Sequence, residues 1–123
     1  MSASLAKKNS VSEVKLTDFP IPKNQVLEGS PVARIWVAAQ SEDLKITQGV
    51  WDCTQGKFTW DYSWDESVMI LEGEVTVEQV GGQTHTLKAG DFMHLPRGIK
   101  TKWFVPKYLK KTFVIRTLEP LNL

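Results

Sequence analysis

Few of the side chains able to do chemistry stand near one another in this chain. It has two histidines, His85 and His94, and one cysteine, Cys53. A single cysteine excludes an internal disulfide framework and a multi-cysteine zinc site. Cys53 ends an apolar run with no histidine nearby in sequence, and it reads as a buried, unreactive thiol. Glu66 opens the apolar run Val68 to Leu71. A carboxylate among apolar neighbours must be paired, protonated or hydrogen-bonded. Desolvation favours its neutral form, which suits such a group to general acid or base work. Glu66 is therefore a candidate catalytic residue, set against the plainer role of a satisfied buried group kept for structure. His94 is a second candidate. It lies in Asp91–Leu95, apolar on both faces, and the alternation does not fix which face it takes. It reads either as a packed, hydrogen-bonded histidine or as a site residue. His85 follows the Gly81-Gly82 turn between Thr84 and Thr86 and reads as a surface hairpin residue.

A second set is aromatic. In Lys57–Tyr62 polar residues alternate with rings. Strand side chains point to opposite faces in turn, so Phe58, Trp60 and Tyr62 share one face. In Lys100–Trp103 the two lysines share one face, and Thr101 and Trp103 the other. Trp60, Tyr62 and Trp103 read either as core packing or as a stacking wall for a planar or sugar-like ligand. Lys107, Lys110 and Lys111 surround Tyr108 and read as a solvated basic loop ahead of the last strand.

The elements that would position these residues are short strands. Runs rich in Val, Ile, Thr, Trp and Phe span 34–39, 45–53, 57–62, 66–71, 74–80, 83–88, 91–95, 100–105 and 111–118. Gly81-Gly82 marks a two-residue hairpin turn, and Leu71–Glu74, Ala89–Asp91 and Pro96–Gly98 mark further reversals. Pro20, Pro22, Gly29 and Pro31 make residues 18–31 irregular. No window of helical length carries a 3.6-residue period. An all-β barrel or sandwich of roughly eight to ten strands follows.

With 123 residues, one domain over 18–123 is expected, preceded by a flexible tail over 1–17. Fifteen Lys plus Arg against fourteen Asp plus Glu leave a net charge of +1, without the basic excess of a nucleic-acid binder. No apolar run approaches the roughly 20 residues of a membrane helix, and no secretory signal opens the chain. The expected setting is the cytoplasm, with neither nucleic acid nor membrane as partner.

Two stretches carry a resemblance. Glu66, six residues and Gly73 fit the end of the first motif of the cupin superfamily, G-x5-H-x-H-x3,4-E-x6-G. Gly90, five residues, Pro96, one residue and Gly98 fit the start of the second, G-x5-P-x-G-x2-H-x3-N. With Trp51–Cys53, Phe58–Trp60 and Lys102-Trp103, the chain resembles the branch holding the (S)-ureidoglycine aminohydrolase and ethanolamine-utilisation cupins. The resemblance spans about 45–118. It implies an antiparallel jelly-roll barrel, RmlC-like, usually dimeric, with a site in the barrel mouth toward which Glu66 points. It also implies that a basic residue of the last strand lies near the cavity, which adds Lys111 and Arg116 to the candidate ligand-binding residues Trp60, Tyr62, Thr101 and Trp103. In metal-binding cupins the ligands are three histidines and the motif glutamate. Here the histidine positions hold Trp60, Tyr62 and Thr101, the asparagine position holds Val105, and the opening glycine falls at Thr54. No tightly held metal or other cofactor is expected, because a transition-metal site needs several convergent donors.

Three functions stay open at this point. The first is an enzyme doing acid-base chemistry on a small polar, nitrogen-containing metabolite. The second is a non-catalytic binder of such a ligand, and the third a barrel filled by its own side chains. An aminohydrolase-like cupin with displaced metal ligands is a variant of the first. Strands apolar on both faces, including Met69 and Leu71, suggest a homodimer.

Overall fold

Buried positions alternate along a strand, and in two strands here the alternation changes parity midway. In one, Thr47, Trp51 and Cys53 are buried at odd positions, and then Phe58 and Tyr62 at even ones. In the next, Glu66, Val68 and Ile70 give way to Val75 and Val77. A one-residue shift of register against the neighbouring strand sends every later side chain to the other face. Each of these runs is accordingly one continuous strand whose pairing shifts midway, not two strands with a reversal. The computed structural model, which describes residues 5–122, shows this directly.

Eight strands occur among the described residues: β1 (Thr17–Asp18), β2 (Val26–Gly29), β3 (Ala33–Gln40), β4 (Ile46–Asp61), β5 (Asp65–Gln79), β6 (Thr84–Lys88), β7 (Phe92–Leu95) and β8 (Lys100–Arg116). All pairings are antiparallel. The main order is β1-β3-β4-β8-β5-β6, with β2 also on β4 and β7 also on β5. The three long strands pair β4 to β8 and β8 to β5 along nearly their whole length. Their irregularities lie side by side. The register slips at Thr54/Gly56 in β4 and at Ile70/Glu72 and Gly73/Thr76 in β5. On β8, Pro106 and Lys107 fall between the paired residues Val105 and Tyr108, where the missing proline N–H is not needed. The sheet bends along this line and closes into a barrel of jelly-roll type.

Several expected boundaries change accordingly. Leu71–Glu74 is not a reversal: β5 runs through it, with Gly73 at φ +81°. Lys107–Lys111 is not a loop: it lies inside β8. Residues 18–31 are not wholly irregular, because β2 pairs with β4 and β1 takes in Asp18. Of the stretch expected as a tail, Met1–Ser4 lie outside the described residues, Val11–Glu13 form a 3-10 turn and Thr17 pairs with Ile35. No helix among the described residues is long and apolar enough to cross a membrane.

The aliphatic core, with Ile70, Val75, Val77, Leu95, Val105 and Leu109, lies between the curved sheet halves. Cys53 is fully buried there, and burial pushes its thiol up to about 12, so it stays protonated at neutral pH. The outer face carries one buried polar cluster. Asp52 on β4 accepts hydrogen bonds from Nε of Arg34 at 3.0 Å and from the Tyr108 hydroxyl at 2.8 Å, and a second Arg34 nitrogen pairs with its other oxygen. This ties β3, β4 and β8 together just before the bend.

Two predictions follow from this architecture. A Cβ at Gly73 would sit 1.8 Å from the Tyr108 carbonyl oxygen, on a left-handed backbone. Gly73→Ala should cost at least about 2 kcal/mol, read as a fall in denaturant midpoint with an unchanged slope; an unchanged midpoint would show that the bend does not need glycine. Tyr108 is pushed up to about 12, first by burial and then by its bond to Asp52, and Tyr62 is likewise raised by burial and by the charge of Glu66. These are the chain's two tyrosines. The native state keeps protons that the unfolded chain releases near pH 10, so the stabilisation present below pH 10 should decline as pH rises toward 12. Phenolate absorbance appearing at pH 10 in the native protein would refute it.

Candidate functional site

The parity changes aim one set of side chains inward. From β4 come Trp51 ahead of the register shift and Phe58 and Trp60 beyond it, and Tyr62 follows just past the strand's end. Trp103 and Lys111 come from β8, Glu66 from β5. They line a cavity of about 110 Å³. Phe19, Ile35 and Leu121 also belong to its wall. Leu121 is held there by its N–H on the Leu44 carbonyl at 2.8 Å and by Gln40 Nε2 donating to its carbonyl at 2.9 Å. The wall is mostly aromatic. Phe58 stacks on Trp103 at 6.3 Å between centroids, and Trp51 meets Trp103 edge-on at 6.3 Å.

Two charges are buried in this wall. Lys111 Nζ donates to Glu66 Oε2 at 2.8 Å, and the two side chains are only 8% and 7% exposed. The other carboxylate oxygen, Oε1, accepts from Trp64 Nε1 at 3.0 Å. The Lys111 ammonium also lies 4.7 Å from the Trp51 ring centre and 4.6 Å from that of Trp103. Each charge is thus compensated twice, Glu66 by an ammonium and an indole N–H, Lys111 by a carboxylate and two ring faces. The Tyr62 hydroxyl, raised by burial and by Glu66, is neutral at physiological pH and offers a hydroxyl rather than a base.

The expected site residues divide cleanly. Glu66, Trp60, Tyr62, Trp103 and Lys111 come together at the cavity. Thr101 supports it from behind: its hydroxyl donates to the Trp60 backbone carbonyl at 2.8 Å and accepts from Trp103 Nε1 at 3.1 Å, tying the Trp103 indole to the Trp60 backbone. His94 and Arg116 are elsewhere. His94 stands opposite Ser67, one residue out of step with Glu66, so it takes the outer face, where its Nδ1 lies 3.2 Å from Ser67 Oγ. Arg116 is exposed and donates to Asp65 at 3.1 Å. Sequence reasoning missed Trp64. The signal was there, since Trp64 and Glu66 are two apart and share a face wherever the backbone is extended.

The metal-ligand positions of the cupin motifs hold Trp60, Tyr62, Glu66 and Thr101, and only Glu66 brings a good ligand, already held by Lys111 and Trp64. No three His, Cys, Asp or Glu side chains converge among the described residues. This donor set does not fit a transition-metal ion.

Known proteins resemble the chain in both sequence and fold. The crystal structure of a Salmonella typhimurium protein assigned to ethanolamine utilization, EutQ, superposes with a TM-score of 0.72 at 25% identity, over 92% of this chain and 85% of that one. EutQ of Clostridium difficile gives a TM-score of 0.72 at 18% identity, over 89% of this chain and 86% of that one, and so speaks to the fold alone. In sequence, a 57-residue stretch is 37% identical to a protein named acetate kinase EutQ from Salmonella typhimurium, covering 46% of this chain and 24% of that protein. The chain thus spans about a quarter of the length of the curated relatives it matches. The model of the EutQ-like cupin domain matches residues 40–113, more than half of the chain and the part that holds Trp51, Glu66, Trp103 and Lys111. The eight-stranded antiparallel fold and this match together place the chain in the EutQ-like cupin family.

Proposed function

We propose that the chain is a small-molecule-binding cupin domain. Its aromatic cavity takes a small metabolite with an apolar body and one polar group, and Glu66 exchanges a proton with that group without a tightly held metal. The buried Glu66–Lys111 pair carries the proposal. A buried ion pair adds little stability over a well-packed apolar pair of similar volume. In an otherwise apolar wall it is a polar anchor of the kind ligand cavities use to orient their contents. Kinase activity, as in the name of the relatives, is not carried over. Phosphate recognition needs cations free to bind it, and the cavity's lysine is already committed to Glu66.

The outer face suggests a partner. Phe92 is 80% exposed, and the register sets it opposite Met69, which faces Thr112 on β8. Val114 and Ile46, also exposed, continue the same face. We infer that a second copy covers it, as an isologous contact of two such sheets.

Two measurements check these proposals. Four of the five tryptophans, Trp51, Trp60, Trp64 and Trp103, line the cavity, so intrinsic fluorescence reports its occupancy. Short-chain amides, alcohols and carbonyl compounds should perturb it, and affinity should fall at least about tenfold in Glu66→Gln. Absence of any binder, or binding unchanged by the substitution, would refute the cavity as a site. Light scattering at micromolar concentration should report a dimer that Phe92→Asp converts to monomer; a monomeric parent protein would remove the second copy.

A further inference from the structure

Lys111 is the amine at this cavity, and its surroundings suit it to more than charge balance. It sits on β8 between Trp51 of β4 and Ile70 of β5, so the strands on both sides fix its backbone. Its Nζ is within hydrogen-bond reach of a single base, Glu66, at 2.8 Å, and between two indole faces. A lysine becomes a nucleophile when a neighbour takes its proton in a desolvated place. Moving one proton from Lys111 to Glu66 leaves both groups neutral, with the freed amine still against its proton acceptor at the cavity wall.

We propose that Lys111 forms a Schiff base with a small aldehyde or ketone bound in the cavity, with Glu66 as the proton shuttle. The proposal rests on the cavity being a binding site. Glu66 first takes a proton from the Lys111 ammonium. The free amine attacks the carbonyl carbon, a C–N bond forms, and the C=O electron pair moves onto oxygen, which takes the proton from Glu66. Glu66 then removes a proton from nitrogen to leave a neutral carbinolamine. Finally the nitrogen lone pair forms C=N, the C–O bond breaks, and Glu66 returns its proton to the departing hydroxyl, released as water. The balance is one ammonium and one carbonyl compound in, one protonated imine and one water out. No oxidant or reductant is consumed. The iminium product carries the positive charge of the starting ammonium, so the pairing with Glu66 and the contacts with Trp51 and Trp103 suit the product as they suit the free protein. The largely aromatic wall and a volume of about 110 Å³ limit the partner to a small, mostly apolar carbonyl compound.

Reductive trapping tests this on the full chain. The protein is exposed briefly to propanal with cyanoborohydride, and peptides are read by mass spectrometry. Lys111 should acquire one propyl group at least about tenfold faster than the exposed Lys100 and Lys107. Glu66→Gln should remove that advantage and leave Lys100 and Lys107 unchanged. Should that variant fail to fold, the parent protein still answers: propan-1-ol, which cannot form an imine, should protect Lys111 and not Lys107. Labelling of Lys111 no faster than of the surface lysines overturns the proposal. Tryptophan fluorescence separates the two levels. If propan-1-ol binds and Lys111 is not trapped, the cavity stands and the imine chemistry falls. If neither propan-1-ol nor propanal perturbs the fluorescence, both fall.

Discussion

A strand that presents one face inward for its first half and the other for its second half must shift register against its neighbour between them. Both β4 and β5 shift against β8, which keeps its buried residues at odd positions from Thr101 to Ile115 and sets Pro106 and Lys107 opposite the single Gln55 of β4. Because β8 lies between the other two, the two shifts meet on it and fall level with each other and with Pro106. The whole cavity depends on this alignment. Trp51 and Trp60 both face inward although they are nine apart, an odd separation that an unbroken strand would place on opposite faces. Gly73 permits the turn of the backbone, since any side chain there would run into the carbonyl of Tyr108.

Within the frame so bent, the energetics of the site are those of two charges that water cannot reach. Removing either partner of such a pair leaves an uncompensated buried charge, typically about 3–5 kcal/mol. The indole N–H of Trp64 and the ring faces of Trp51 and Trp103 lower the cost of keeping both. The arrangement is rigid, because each charge is carried by a strand hydrogen-bonded on both sides. Thr101 adds to that rigidity by holding the Trp60 backbone and the Trp103 indole with one hydroxyl.

The outer face follows different rules. At one end Asp52 is buried under Arg34 and Tyr108, a cluster whose hydrogen bonds link three strands. Nearer β7, exposed Phe92 and Met69 are apolar and lie side by side by register. His94 and Arg116 belong to this face, close to polar neighbours, and neither lines the cavity.

Strand content, the hairpin glycines, the cupin half-motifs and the shared face of Phe58, Trp60 and Tyr62 were legible from residue types and period-two spacing alone. Those signals are local, and a strand's own alternation carries them. What spacing could not decide was how runs join. A bulge and a reversal both break the period and both favour glycine, so Leu71–Glu74 looked like a turn and Lys107–Lys111 like a loop. Only pairing across β8 distinguishes them, because cross-strand pairing resumes on both sides of each shift within the same strands. The same pairing turned Lys111 from a solvated residue into a buried partner for Glu66, 45 positions away. It also settled His94, whose face depends on its register with Ser67 and not on its neighbours in sequence.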